Sequence, residues 1–514
     1  MSEKIQDKKI ETKTDVKNTI QVKAKVLEEY AFKSEDIPVS VRILKVENQF
    51  VPVYELAISN ISKTTEIILN KIRDELLEKV HLDDFDFTDM KEEKIIENTF
   101  AETIKKLVEK HFHDADKTTK DFLCSYLIQK SLGLGSIELI LKDPRLEEVV
   151  VNNAEEPVWV YHKNHGWLKT NIKLDGEFQI KHFAGIIGRK SGKQITLLAP
   201  LMDAHLKTGE RVNATLSPIS VKGNTITFRK FASKPWTITD FLRTNTISYE
   251  AAAIVWLAAQ YELSTIISGG TATGKTSMLN VFSNFFPPNQ RVISIEDTRE
   301  LQLPSFLHWV PMETRLANPE GKGEVTMLDL LVNSLRMRPD RICVGEIRRA
   351  KEAEVLFEAI HTGHSCYATV HANNTDETIT RLTSPPINIP KSMLPAVSLI
   401  VVQHRNRRTG QRRTFQISEI LPDATGNVLL QYDPITDKMK RVNKSKSLMS
   451  SLKEFTGMTE LQFKKDIDKK IKVLKYLVKN NINTVDGVGR IIAECYVNEE
   501  NMMKYVNSNK IFQG

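Results

Sequence analysis

The chain has 514 residues, room for roughly two to four domains with sizeable cores. Its 72 Lys and Arg stand against 65 Asp and Glu, a net charge of +7, which is too mild for a dedicated nucleic-acid binder. Four cysteines with no C-x-x-C pair, a charged N-terminus and no long apolar run argue against a zinc ribbon, a disulfide framework, a signal peptide and a membrane span. The thiols are expected to be reduced, as in a cytosolic protein.

Residues 1–36 carry 8 Lys and 8 Asp and Glu with few large apolar side chains, and read as a solvated, mostly disordered arm. Residues 37–130 read as a mixed module. Two short strands at Val39–Val46 and Val51–Ala57 precede a helix over Ile61–Val80, with Ile67, Ile68, Ile72 and Leu76 on its apolar face. An acidic loop over 81–93 and helices at Ile95–Phe112 and Thr118–Leu132 follow. Residues 131–236 read as a small α+β domain. Its strands include Val149–Val151, Val158–Tyr161 and Ile226–Arg229, with a helix at Ile180–Arg189.

From 237 to 442 strands and helices alternate, which predicts a doubly wound, mainly parallel α/β sheet. The strands are Thr265–Ser268, Arg291–Glu296, Arg341–Glu346 and Cys366–His371. The helices are Leu328–Arg338, Lys351–Thr362 and Asp376–Thr383. Arg405, Arg407, Arg408, Arg412 and Arg413 surround Thr409-Gly410, a pattern that predicts an exposed basic hairpin tip. Residues 443–514 read as helical, with Leu461, Ile467, Ile471, Leu474 and Leu477 at near-helical spacing. From Arg441 to the end there are 14 Lys and Arg against 8 Asp and Glu, so most of the positive excess lies there. A solvated helical surface is the plainer reading; a contact with acidic protein or lipid is the other.

The most specific signal is Gly269-Gly270-Thr271-Ala272-Thr273-Gly274-Lys275-Thr276-Ser277, which contains the whole G-x-x-x-x-G-K-[ST] pattern. A buried strand leads in, and a helix over Lys275–Phe286 leads out to Pro287-Pro288. Glycines let backbone N–H groups face phosphate oxygens, and the helix N-terminus adds positive field. Lys275 is expected on the β/γ-phosphates and Thr276 on Mg2+. An unliganded Gly-rich turn would leave Lys275 unexplained.

Three further segments narrow the chemistry. Glu296 and Asp297 end the strand after the loop's helix. The run Arg341-Ile342-Cys343-Val344-Gly345-Glu346 leads apolar residues to Glu346, with Gly345 where many such ATPases carry a metal-binding Asp. The third, Thr362 to Asn374, ends a strand at His371. Together these resemble the Asp box, atypical Walker B and His box of the secretion ATPase superfamily, which powers type II secretion, type IV pilus, archaellum and type IV secretion machines. The resemblance spans roughly residues 130–440. Residues 133–161 look like the start of that family's N-terminal domain. Gly209–Ala214 and Thr227–Lys230 resemble its two arginine-bearing segments. A four-cysteine zinc module found in secretin-linked members is absent. The stretch 321–346 looks like the archaeal and Tad-pilus branch, and the segment 384–394 with the helical tail favours the archaeal side.

The resemblance implies a RecA-like nucleotide domain behind a smaller α+β lobe, ATP and Mg2+ as cofactors, and a ring of six subunits. It implies a catalytic set of Glu346, Glu296, His371, Arg211 and Arg229. Glu346 polarises the attacking water and also contributes to the metal site, directly or through water. Glu296 is a second carboxylate for water or metal. His371 senses the γ-phosphate. Arg211 and Arg229 reach that phosphate from the same or the next subunit. Arg299, Arg315, Arg336 and Arg338 fit salt bridges or subunit contacts, and His364 divides between site and scaffold. The expected protein is a cytoplasmic ATPase at the inner face of the membrane. It would act through a polytopic platform protein on pilin-like or secreted substrates, with no nucleic acid. A nucleic-acid motor and a nucleotide-gated scaffold without turnover are the rivals.

Overall fold

The computed structural model describes residues 24–34, 37–58, 61, 63–79, 90–206, 209–230, 235–315, 317 and 321–512. It divides into two compact units, Met1–Ser233 and Lys234–Gly514. Among the described residues no helix is long and apolar enough to cross a membrane.

In chain order the first unit holds β1 (Ala24–Ser34), β2 (Ile37–Val46), β3 (Val53–Ile58), α1 (Lys63–Lys79), α2 (Met90–His111), α3 (Lys117–Leu132), α4 (Ser136–Leu141), β4 (Leu146–Val151), β5 (Trp159–His162), β6 (Gly166–Thr170), α5 (Glu177–Lys190), β7 (Leu201–His205), β8 (Arg211–Thr215) and β9 (Thr225–Arg229). All nine strands form one sheet in the order β1-β2-β3-β6-β5-β4-β9-β8-β7. Three sequence expectations change here. Part of the supposed arm, residues 24–34, is a strand paired antiparallel to β2 from Ala24↔Val46 to Ser34↔Ile37. Its inward positions are Glu28, Tyr30, Phe32 and Ser34, so its alternation is hidden by polar inward residues. Residues 1–23 and most of the acidic loop lie outside the described residues. The module boundary near 131 also dissolves. β3 pairs in parallel with β6 through Val53↔Lys169 and Tyr54↔Thr170, and both segments share one apolar core. Finally, Ile67 is exposed on α1, whose buried stripe is Leu69, Ile72 and Leu76.

The second unit holds α6 (Ile238–Arg243), α7 (Tyr249–Gln260), β10 (Thr265–Gly269), α8 (Lys275–Ser283), β11 (Arg291–Glu296), β12 (His308–Glu313), α9 (Met327–Ser334), β13 (Arg341–Val344), α10 (Ala350–His361), β14 (Ser365–Val370), α11 (Thr375–Thr383), β15 (Leu399–Arg405), β16 (Arg412–Ile420), β17 (Gly426–Asp433), β18 (Lys438–Arg441), α12 (Ser447–Thr456), α13 (Glu460–Lys479), α14 (Val485–Val497) and α15 (Glu499–Ser508). A second nine-stranded sheet runs β12-β11-β13-β14-β10-β15-β16-β17-β18. The strands from β12 to β15 are parallel, and the remaining three add antiparallel. This is the expected RecA-like α/β core. Alternate residues of the parallel strands feed two cores. Ile267, Val292, Cys343 and Tyr367 face one, while Ile266, Ile293, Ile342 and Cys366 face the other. Burial on both faces explains why these strands read as continuous apolar runs.

The C-terminal helices are part of this unit's core rather than a separate tail. Leu474 and Leu477 of α13 are fully buried against α7, whose residues Ala251 to Ala259 are all buried. Each such leucine contributes roughly 1.5–3 kcal/mol. The Tyr496 hydroxyl accepts from Trp256 Nε1 at 2.8 Å and donates to Phe285 O at 2.6 Å. Leu461, expected on the buried stripe, is 64% exposed because it sits in the first turn of α13, before that face reaches its neighbour. Lys470 is 5% exposed, paired to Asp466 at 2.7 Å, with its ammonium 5.3 Å from the centre of the Trp256 ring.

Candidate nucleotide site

The loop from Gly269 to Gly274 joins the buried β10 to α8. A side chain at Gly269 would place its Cβ 2.4 Å from Thr273 Oγ1 and 2.6 Å from the Gln403 carbonyl. The loop therefore closes tightly over β15 only with glycine there. Gly274 has φ 93° and directly precedes α8, a left-handed turn that favours glycine. Ala272 also adopts positive φ, 58°. No side chain caps the N-terminus of α8, so its first N–H groups remain available to an anion.

Lys275 Nζ donates to the Gly270 carbonyl at 3.0 Å, folded back over its own loop. Burial lowers its pKa, while the Glu346 carboxylate opposes that shift. Thr276 and Ser277 follow on the first helical turn, both half-buried. Thr271 Oγ1 lies 3.5 Å from His371 Nε2, at the outer limit of a hydrogen bond. His371 stands just past β14 and is exposed. Partial desolvation, then the Lys275 ammonium, lowers its pKa.

Three acidic groups stand at or just past the ends of β11 and β13, on the same side of the parallel sheet as the loop: Glu296 ends β11, and Asp297 and Glu346 follow. Glu296 is 2% exposed. Its Oε1 accepts from the Glu300 and Leu301 N–H groups at 2.9 and 3.1 Å, and its buried Oε2 has no hydrogen-bond partner among the described residues. Burial raises its pKa to about 7, against those two N–H groups. Glu346 is half-buried, and Arg348 Nη2 donates to its Oε2 at 2.8 Å. The other arm of Arg348 reaches Asp297 Oδ2 at 2.8 Å. Gly345 packs beside Glu296: a Cβ there would stand in ordinary contact with Glu296 Cα and Cγ at 3.5 Å. The Gly345 carbonyl accepts from Thr369 Oγ1 at 2.6 Å, which ties β13 to β14 at the site.

The expected basic hairpin is present: β15 and β16 pair antiparallel and residues 406–411 at its tip are exposed, while two of its arginines turn inward. Arg412 Nε donates to the Ala272 carbonyl at 3.1 Å and braces the loop at its positive-φ residue. Arg413 is 8% exposed and forks onto Asp437 at 2.7 and 3.0 Å. Arg348 and Arg412 are the site residues that sequence reasoning missed. Arg348 had a signal, two residues beyond Glu346 with alternating direction. Arg412 had none, since its partner lies 140 positions away.

Arg211 and Arg229 belong to the first unit. They are register partners across β8 and β9, both exposed. Such partners point to the same face. Arg211 Nε donates to Asp203 at 2.9 Å, and Arg229 also faces Glu148 on β4. His364 lies outside the site, its Nδ1 3.2 Å from the Ala359 carbonyl beside the end of α10. Arg299 lies over the Trp309 ring, Arg315 donates to the Gly323 carbonyl, and Arg336 and Arg338 are exposed.

A sequence model of the family described as type II/IV secretion system protein matches residues 133–448. The uncharacterised protein MJ0781 of Methanocaldococcus jannaschii is 28% identical, over 74% of this chain and 77% of its own. The type IV secretion system protein PtlH of Bordetella pertussis is 29% identical over 52% of this chain and 88% of its own. Among solved structures, the pilus retraction motor PilT with bound ADP aligns with a TM-score of 0.43 at 15% identity, covering 69% of this chain and 95% of that one.

Proposed function

The chain belongs to the type II/IV secretion system protein family, and on that premise we propose that it is a cytoplasmic ATPase whose turnover drives assembly or secretion of pilin-like or other protein substrates. It works as a ring of six at the inner face of the membrane, against a polytopic platform protein. The single observation that carries the nucleotide reading is the uncapped N-terminus of α8 behind a loop that admits only glycine at Gly269, with Lys275 beside it. Backbone N–H groups from Gly270 to Thr276 cradle the phosphates, and the Lys275 ammonium leaves the Gly270 carbonyl for the β/γ-phosphates.

The donor set is all oxygen: the Thr276 hydroxyl with the carboxylates of Glu346 and Asp297. It suits a hard dication such as Mg2+. When bound, that ion neutralises phosphate charge. Glu346 orients and polarises the attacking water once Arg348 lets it go. Glu296 is the second carboxylate; its raised pKa lets it hold a proton near neutral pH. His371 reads the γ-phosphate from beside Thr271. Arg211 and Arg229, exposed on one face, supply positive charge to that phosphate within a subunit or across a boundary.

Phosphate release by the purified full chain tests the reading. Mg2+-dependent turnover that EDTA abolishes is the expected result, with sedimentation as a hexamer in the presence of nucleotide. Nucleotide binding without release would instead support a gated scaffold. A rate stimulated by DNA would support the nucleic-acid motor.

A further inference from the structure

We propose that the first unit carries a metal site for a zinc-class dication, with Glu28, His162 and His165 as its protein ligands. Glu28 is on β1, His162 ends β5, and His165 lies in the turn between β5 and β6. Each offers one ligand atom, and these atoms all lie within 4.8 Å of one another. Zinc bonds of about 2.0–2.2 Å put neighbouring ligands roughly 3.3 Å apart, so a modest contraction suffices. Two imidazoles and a carboxylate form a donor set for zinc, cobalt or nickel rather than magnesium or calcium.

The second observation is His162 itself. It is 0% exposed, and its Nε2 has no hydrogen-bond partner among the described residues. A buried polar nitrogen without a partner costs roughly 1–3 kcal/mol. A metal at Nε2 would give that atom a partner. The ring proton would then sit on Nδ1, so the Asn164 N–H that now donates to it at 3.1 Å would turn to solvent from its exposed residue and Nδ1–H would need an acceptor in its place. His165 Nε2 already meets Glu28 Oε2 at 2.7 Å, so the ion would insert into an existing contact.

The surroundings support a ligand carboxylate. Arg145 holds Glu28 through Oε1, which leaves Oε2 for the ion. Its guanidinium lies 3.9 Å from the centre of the Tyr30 ring, and the Tyr30 hydroxyl donates to Asp143 at 2.6 Å. An outer partner of this kind orients ligating carboxylates. The ion would fasten the edge strand β1 to the β5–β6 turn and keep one position for water or a further ligand. The absence of a four-cysteine module does not bear on this site, because no cysteine takes part.

The test uses the full chain, free of any polyhistidine tag and of nucleotide. Chelator-stripped protein is titrated with Co2+, read by its visible absorption, and with Zn2+, read by calorimetry. One equivalent should bind to the wild type and to Lys275→Ala. His162→Ala and Glu28→Gln should lose it. His165→Ala, in the partly exposed turn, should weaken affinity at least tenfold while folding normally. Zn2+ should raise the melting temperature of the wild type by several degrees and that of His165→Ala by clearly less at the same concentration. Binding no stronger in the wild type than in His165→Ala would overturn the proposal and leave the cluster as a hydrogen-bonded ion pair.

Discussion

The two sheets bring polar residues together by different geometry. In the second unit, β10, β11, β13 and β14 run in parallel, so Gly269, Glu296, Glu346 and His371 all emerge at the same edge. Topology alone gathers them, however far apart they are in sequence. In the first unit, β8 and β9 run antiparallel, and Arg211 meets Arg229 because the register pairs them. A shift of one residue would separate them and turn one to the other face. The first kind of site tolerates small slips and fails when a single group is lost. The second depends on register, and under the proposed function its two arginines would act as a pair.

The largest effects should therefore come from single residues at the parallel edge. Lys275→Ala removes the main fixed cation from the phosphate site. Loss of one preorganised electrostatic donor costs on the order of 10²–10³ in rate, and here nucleotide affinity should fall with it. Glu346→Gln keeps shape and loses the carboxylate, so ATP should still bind while turnover drops about 10²-fold or more. Equilibrium binding beside single-turnover hydrolysis separates the two variants. Fast turnover by Glu346→Gln would move the catalytic role to Glu296.

Arg211 and Arg229 should behave differently. Each alanine variant should slow hydrolysis about tenfold with little change in melting temperature, since both side chains are exposed. The double variant should be scarcely worse than either single one, because groups acting as a pair are not additive. Additive losses would mean that the two arginines work separately. Mixing an Arg229→Ala subunit with a Lys275→Ala subunit should restore some activity if the pair serves the neighbour's site.

What could be read in advance follows the same division. The loop, Glu346 and His371 were legible because each sits in a local pattern: a strand that ends, then a turn or a polar residue. Arg348 lay in plain view, but its fork onto Glu346 and Asp297 needs the spacing of two strand ends. Arg412 needed a contact across 140 positions. The strand β1 was hidden because Glu28, Tyr30 and Ser34 occupy its inward face, where a hydrophobic pattern expects Val or Ile. Its join to the rest of the sheet depends on two pairs between β3 and β6, which no local signal announces.

Glu296 gives a smaller effect with a definite sign. Its folded pKa of about 7 stands above the ordinary 4.5 because of burial. The folded protein thus binds a proton that the unfolded chain releases above pH 4.5. The stability this contributes is full below that pH and is lost as pH rises through about 7. Glu296→Gln has no such titration. The variant should gain on the wild type between pH 5 and pH 8 by about 2 kcal/mol, read by urea unfolding at both pH values. A constant difference would mean that Glu296 stays ionised in the folded state.

The smallest effect belongs to the basic C-terminal helices, where the choice of lysine decides the outcome. Lys470 is buried over Trp256 and belongs to the core. Lys469 pairs with Glu499 at 2.7 Å. Lys464 and Lys465 are exposed, and reversing exposed charges usually changes stability by less than about 0.5 kcal/mol. Lys464→Glu with Lys465→Glu should therefore leave melting and basal hydrolysis as they are. If this face meets an acidic platform protein or anionic lipid, co-sedimentation with membranes should weaken, and the wild-type signal should fall with added salt. Such contacts are screened over roughly 8–10 Å at physiological ionic strength. Unchanged co-sedimentation would assign these lysines to solvation alone.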